Sequence, residues 1–264
     1  MATVLLPPWL LASTDAATGA SPEVTVGVVV AVAAAALLIG LMKGGVGGLG
    51  PVVTLLVATA LPTKIAVGLL LPLLMLGDVS ALWAHWGKWH RPSVVALLPG
   101  GLVGVAVASL FLRSMSERLL ELFIVAISLA FAAYRLLEPR IRTVPLEIRP
   151  VHGVAAGVTA GITSTIAHVG GPPIQVYLLG RRLEPREFVA TSAMVFTVIN
   201  WTKVPGYLAA GLFDVELIRQ LWPVAFLIPP GIVIGKWFVT RVSAAVFDGL
   251  VLASLVVGAL LLLV

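Results

Sequence analysis

The sequence has no cysteine, which excludes disulfides, thiolate metal sites and thiol nucleophiles together. Charge is almost as scarce. Asp, Glu, Lys and Arg make up 11% of the 264 residues while 59% are hydrophobic, against the roughly 25% charged residues of an ordinary soluble domain. That balance excludes a soluble globular fold and leaves an all-α polytopic membrane protein, whose counting unit is a span of roughly 20 apolar residues. Catalytic motifs are missing as well. There is no Gly-x-Ser-x-Gly, no His-Glu-x-x-His and no aspartate pair at a helical offset, so an intramembrane enzyme would lack a recognisable centre. No metal site and no cofactor is expected. The opening residues 1–23 have no positive n-region, and Pro7-Pro8 breaks their apolar stretch. They read as an exposed or interfacial lead-in rather than a cleaved signal.

Apolar segments run over 24–42, 51–60, 65–87, 93–112 and 117–137, then over 151–168, 172–180, 187–210, 218–240 and 244–264. Each half has one segment ending at a glycine run, one very short segment and three long ones. Trp86-Gly87-Lys88-Trp89-His90 aligns with Ala210-Gly211-Leu212-Phe213-Asp214, and Pro99-Gly100-Gly101 with Pro229-Pro230-Gly231. Ser116 to Glu121 aligns with Ser243 to Asp248. The expected organisation is a lead-in (1–23), a first repeat (24–137), a cytoplasmic linker (138–150) and a second repeat (151–264).

The net charge of +5 sits in short runs between apolar segments, which points to cytoplasmic loops rather than to nucleic acid. Arg135, Arg140, Arg142 and Arg149 place the linker inside, with Lys88, Arg91, Arg181, Arg182 and Arg186, and the N-terminus falls outside. The segments of 51–60 and 172–180 cover only about half the hydrocarbon thickness as helices. Two inverted repeats follow, each a half-membrane, re-entrant helical hairpin plus three transmembrane helices, with glycine tips meeting from opposite faces. One tension is that 24–42 is long enough to span.

The tips are Lys43-Gly-Gly-Val-Gly-Gly-Leu-Gly-Pro51 and His168-Val-Gly-Gly-Pro-Pro173. Irregular backbone at membrane depth survives only where protein buries it or it lines a cavity. In each tip a proline opens the short helix that follows, leaving bare amides at a helix N-terminus, a setting that suits an anion. The competing reading is close helix packing and a tight turn. Neither run continues into Gly-Lys-Ser or Gly-Lys-Thr, so neither is a nucleotide-binding loop.

Lys203 and Asp78 stand deep in long helices, where charge costs at least about 3 kcal/mol. Lys203 is the first candidate countercharge and Lys43 the second; Asp78 is either a proton carrier or the ion-pair partner of Lys203. His168 is the other proton-coupling candidate, or a hydrogen-bonded packing residue. Thr163, Ser164, Thr165, Thr191 and Ser192 offer hydroxyls to a substrate or to helix backbone. Glu121 and Asp248 read as solvated or paired groups near the outer helix ends, beside Arg118 and Arg241. The tryptophans around His85 and His90 read as an interfacial belt.

The first glycine run with its proline, Gly170-Gly171-Pro172-Pro173, Thr191-Ser192, and then Asn200, Lys203, Tyr207 and Gly211 resemble the sulfite exporter TauE/SafE family, over residues 25 to 264. The resemblance implies a secondary transporter of sulfite, organosulfonates such as sulfoacetate, or related small anions in a bacterial or archaeal inner membrane. It implies a substrate region of Lys43, Gly44, Gly45, Gly47, Gly48, Gly50 and Pro51, with Thr165, His168, Gly170, Gly171 and Pro172. Thr191, Ser192, Asn200 and Lys203 lie beside it. Val46, Leu49, Lys43 and His168 depart from the family's pattern and bear on which anion is held. The expected partners are the anion and the lipid bilayer. An anion channel, a carrier of small carboxylates and a structural subunit stay open, as does the choice of monomer or homodimer.

Overall fold

The computed structural model describes residues 22–46, 48–141 and 149–263. Gly47, most of the expected lead-in 1–23 and much of the expected linker 138–150, Arg142 included, lie outside the described residues. The first half comprises α1 (Val26–Lys43), α2 (Gly50–Ala58), α3 (Thr63–Ala84), α4 (Arg91–Ser114) and α5 (Glu117–Ile141). The second comprises α6 (Pro150–Ala167), α7 (Gly171–Gly180), α8 (Pro185–Ala209), α9 (Val215–Leu221), α10 (Ile228–Arg241) and α11 (Ala244–Leu263). A 3₁₀ segment, Trp222–Leu227, joins α9 to α10, so these two stand where α4 stands in the first half.

Local chemistry explains the helix starts and stops. Proline occupies the first or second position of α2, α4, α6, α7 and α8, where its missing N–H costs nothing. Gly87 (φ 73°) and Gly211 (φ 66°) turn the chain after α3 and α8 in the left-handed region, at the positions the repeat aligned. Ser116 accepts from the Leu119 amide at 3.2 Å, and Ser243 from that of Val246 at 3.5 Å, so the aligned serines both sit at helix starts. Large apolar side chains such as Leu110, Phe111, Leu260 and Leu261 remain exposed on the outside of the bundle, as a lipid-facing surface requires.

Six stretches among the described residues are long and apolar enough to cross a membrane: Val26–Lys43, Thr63–Ala84, Arg91–Ser114, Glu117–Glu138, Val215–Phe238 and Val246–Leu263. The set differs from the six long helices expected above. α1 joins it, and α8 drops out although it has 25 residues, because Thr191, Ser192, Asn200 and Lys203 dilute its apolar content. The hairpins are therefore lopsided, with an 18-residue first arm of about 27 Å and a second arm of 9 or 10 residues, about 14 Å.

The halves are locked by glycine. A Cβ on Gly100 would stand 2.0 Å from the Val154 carbonyl oxygen, and one on Gly157 would stand 2.1 Å from that of Leu97, so α4 and α6 touch backbone to backbone. The counterpart contact joins α1 and α10, where a Cβ on Gly40 would lie 2.3 Å from the Ile228 oxygen and one on Gly231 2.4 Å from that of Leu37. Both pairs run parallel. By contrast α3 and α8, which hold the same place in their halves, run antiparallel. Gly68 abuts Leu212 at one end of that contact, and Asp78 bonds Asn200 towards the other.

Asp248 is paired, one of the two roles expected of it, but its place at an outer helix end is corrected: its carboxylate meets Arg135, which ties α11 to the end of α5 that charge placement puts inside. Glu121 does pair with Arg118, at 3.1 Å.

A Gly157→Val substitution should therefore destabilise the protein by about 1–3 kcal/mol through overpacking against α4. Gly249→Ala, where a Cβ meets nothing within 4 Å, should be neutral. Thermal unfolding of the purified variants in detergent checks both.

Candidate functional site

The two glycine-proline runs end against each other. A Cβ on Gly50 would lie 2.6 Å from the His168 carbonyl oxygen, and the Thr54 hydroxyl donates across the junction to the Ala167 carbonyl at 2.8 Å. His168 takes a left-handed conformation (φ 55°), which turns the chain from α6 towards α7. Its Nε2 lies 3.0 Å from the Val67 carbonyl of α3, so that junction is also pinned to a long helix.

Beside the junction lies a cavity of about 210 Å³. The first run contributes Lys43, Gly45, Gly48, Gly50 and Pro51, and the second His168, Gly171 and Pro172. α8 adds Ser192 and Asn200, and aromatic walls come from Phe131, Phe188 and Phe196. Both short helices thus start at the cavity, and the first amides of any helix have no partner within it. Leu74 and Ala81 of α3 and Phe188 of α8 extend the cavity towards the end of the bundle that carries His85, Lys88 and Arg186. There, partial burial and then the charges of Lys88, Lys236 and Arg186 hold the His85 imidazole below its ordinary pKa. On the other side of the junction Val67, Leu71, Tyr207 and Leu212 are buried and close the bundle.

One wall of the cavity is backed by a chain of polar contacts. Lys43 Nζ lies 2.5 Å from Asp78 Oδ1, and its side chain is only 12% exposed. The Asn200 amide donates to Asp78 Oδ2 at 2.5 Å. Lys203 Nζ in turn donates to Asn200 Oδ1 at 2.7 Å, to Ser164 Oγ at 2.7 Å and to the Ser164 carbonyl at 2.8 Å. Asp78 and Lys203 are fully buried. With every group in its ordinary ionic form, the chain holds two positive charges and one negative. Lys43, paired with Asp78, is the charged group of this network that faces the cavity, 5.6 Å above the Phe196 ring, whereas the ammonium with neutral oxygens alone is Lys203, behind Asn200.

This arrangement revises the expected site. Lys203 does not line the cavity but stands behind Asn200, and Asp78 pairs directly with Lys43 rather than with Lys203. Thr165 satisfies the Gly161 carbonyl at 2.7 Å, and Thr191 accepts from the His90 amide at 2.9 Å, so both hydroxyls serve backbone. Gly44 packs on α10, and Gly170 packs on Ser164 and Phe196. The cavity also takes in residues that the sequence reading passed over. Gln175 was detectable as the one amide side chain of α7, a helical turn after Gly171. Phe131 gave no local signal, since it is one apolar residue in an apolar helix.

Asp78→Asn should destabilise the fold by about 3 kcal/mol or more, because it leaves buried ammonium groups without their carboxylate. The double variant Lys43→Met/Asp78→Asn should recover part of that loss, read from unfolding midpoints of the single and double variants.

A family model described as "Sulfite exporter TauE/SafE" matches residues 32–262. No curated protein and no solved structure matches the chain.

Proposed function

The chain belongs to the sulfite exporter TauE/SafE family, whose members are membrane transporters of sulfite or related anions, and we propose that it carries a small sulfur oxyanion by alternating access. The observation behind this reading is Lys43, the ammonium of a network with two ammonium groups and one carboxylate that faces the cavity, into which the N-termini of α2 and α7 both open. Because the network counts two ammonium groups against one carboxylate, an anion bound beside Lys43 offsets the excess. Lys43 supplies the countercharge, with amides of the two glycine runs as donors to the oxyanion. Asn200 and Lys203 hold Asp78 and Lys43 in place from behind.

Alternating access is supported by the antiparallel relation of α3 and α8, together with the exchanged parallel pairs α1 with α10 and α4 with α6. That is the pattern expected of inverted repeats meeting at a central site. The cavity lies on one side of the junction of tips, towards the basic end, and the other side is packed shut. In this reading the basic end is cytoplasmic, the N-terminus is outside, and the protein sits in a bacterial or archaeal inner membrane. Charge balance also limits coupling. The site is neutral with a monovalent anion, or with a divalent one accompanied by a proton, and Asp78 is the carboxylate available to take that proton.

Gly171→Ala probes the site with little structural cost, since its Cβ would meet nothing nearer than Gln175 Nε2 at 3.8 Å. We expect it to unfold like the wild type but to bind sulfite about tenfold more weakly in calorimetric titrations of purified protein; Lys43→Gln, which also costs stability by unpairing Asp78, should weaken binding at least as much at temperatures where it stays folded. Unchanged affinity in both variants would remove the site from transport. In proteoliposomes, saturable counterflow of labelled sulfite should separate a carrier from a channel. A pH dye trapped inside should report proton movement that accompanies sulfite; sulfite uptake with no proton movement would remove proton coupling.

A further inference from the structure

The two short helices do not offer the cavity the same donors. The N-cap and the first three residues of a helix carry amides with no partner inside it. For α2 these residues are Leu49, Gly50, Pro51 and Val52, and for α7 they are Gly170, Gly171, Pro172 and Pro173. Proline has no N–H, so α2 loses one donor of this set and α7 loses two. Gly170 packs against Ser164 and Phe196 and does not line the cavity, which leaves Gly171 as the backbone donor of α7 there.

Gln175 stands one turn after Gly171, at the spacing that puts two positions on the same helix face. Side chains on a helix lean towards its N-terminus, so the Gln175 amide is carried back over the first turn, to the place where the donors are missing. The structure has it there. A Cβ on Gly171 would meet open space but for Gln175 Nε2, at 3.8 Å, and both residues line the cavity. Gln175 is half-buried, and its amide makes no hydrogen bond among the described residues. The rest of α7 is apolar apart from Tyr177. A polar side chain without a protein partner at membrane depth is costly, and such groups mark the path of a solute.

We infer that Gln175 is a substrate-binding residue of this cavity, its Nε2 donating to the bound oxyanion beside Gly171 in place of the backbone donors that Pro172 and Pro173 lack. The inference rests on the anion-site reading above and adds to it a side-chain ligand from the second tip. The two tips then hold the anion by different means. The first run uses Lys43 and backbone amides, whereas the second uses the Gly171 amide and the Gln175 side chain, a donor that a substitution removes outright.

The test titrates sulfite calorimetrically into the purified full chain and into its Gln175→Met and Gln175→Glu variants. Methionine fills a similar volume without a donor, so Gln175→Met should bind sulfite about tenfold more weakly, as expected for loss of a hydrogen bond to a charged group. It should also unfold at the wild-type temperature or above it, because the amide it removes has no protein partner to lose. Gln175→Glu should weaken binding further at pH 8, by setting a carboxylate beside the anion. Affinity within about twofold of the wild type in Gln175→Met, as when water serves the amide, would overturn this inference and leave the anion site standing. So would a lower unfolding temperature in Gln175→Met, which would make the amide a structural bond, or wild-type affinity in Gln175→Glu. A wild type that binds no sulfite would overturn the anion site and this inference with it.

Discussion

Two ammonium groups and one carboxylate share a single buried network, and the imbalance organises the molecule. Asp78 is held by Lys43 on one oxygen and by Asn200 on the other, and Asn200 passes the contact on to Lys203. A balanced pair would be a structural strut with no reason to meet a solute. Here the count is two to one, and the last residue of α1 brings the network's Lys43 to a cavity wall, which is what the proposed anion site rests on. The fold holds this network between the two halves, with Lys43 at the cavity and Asp78 and Lys203 fully buried.

That placement depends on how closely the helices approach. Glycine at the α4–α6 and α1–α10 contacts lets carbonyl oxygens come to within the space of a methyl group, which brings the two tips into register. Without that closeness Gly50 would not meet His168, and the starts of α2 and α7 would not share a cavity. The exchange also explains why each half is incomplete. The first helix of one half is clasped by the fourth helix of the other, so the site is built between halves rather than within either.

Much of this was legible in the sequence because irregular residues stand out against an apolar background. The glycine-proline runs, the glycines at 87 and 211 and the serines at 116 and 243 each leave a local signature, and the structure finds turns or helix starts there. Which polar groups face the cavity was not legible. Thr191 and Ser192 are neighbours in sequence, yet one serves the His90 amide and the other lines the cavity. The helices are apolar on nearly every face, so no polar stripe marks which side looks inward. Of the two roles left open for Asp78, the ion pair forms with Lys43 and not with Lys203, for a similar reason. Lys203 holds the matching position in the repeat, but antiparallel packing sets Asn200 between them, and the end of α1 brings Lys43 closer.

The order of the network along the chain bears on how it is made. Lys43 and Asp78 both belong to the first half, so the emerging chain can neutralise that pair before any of the second half is synthesised. Lys203 arrives later and finds Asn200 and Ser164 within its own half, ready to shield its ammonium with neutral oxygens. Only the Asn200–Asp78 bond must wait for the halves to meet. The one carboxylate of the network thus has its ammonium partner within the first half, and the ammonium left to neutral oxygens belongs to the second.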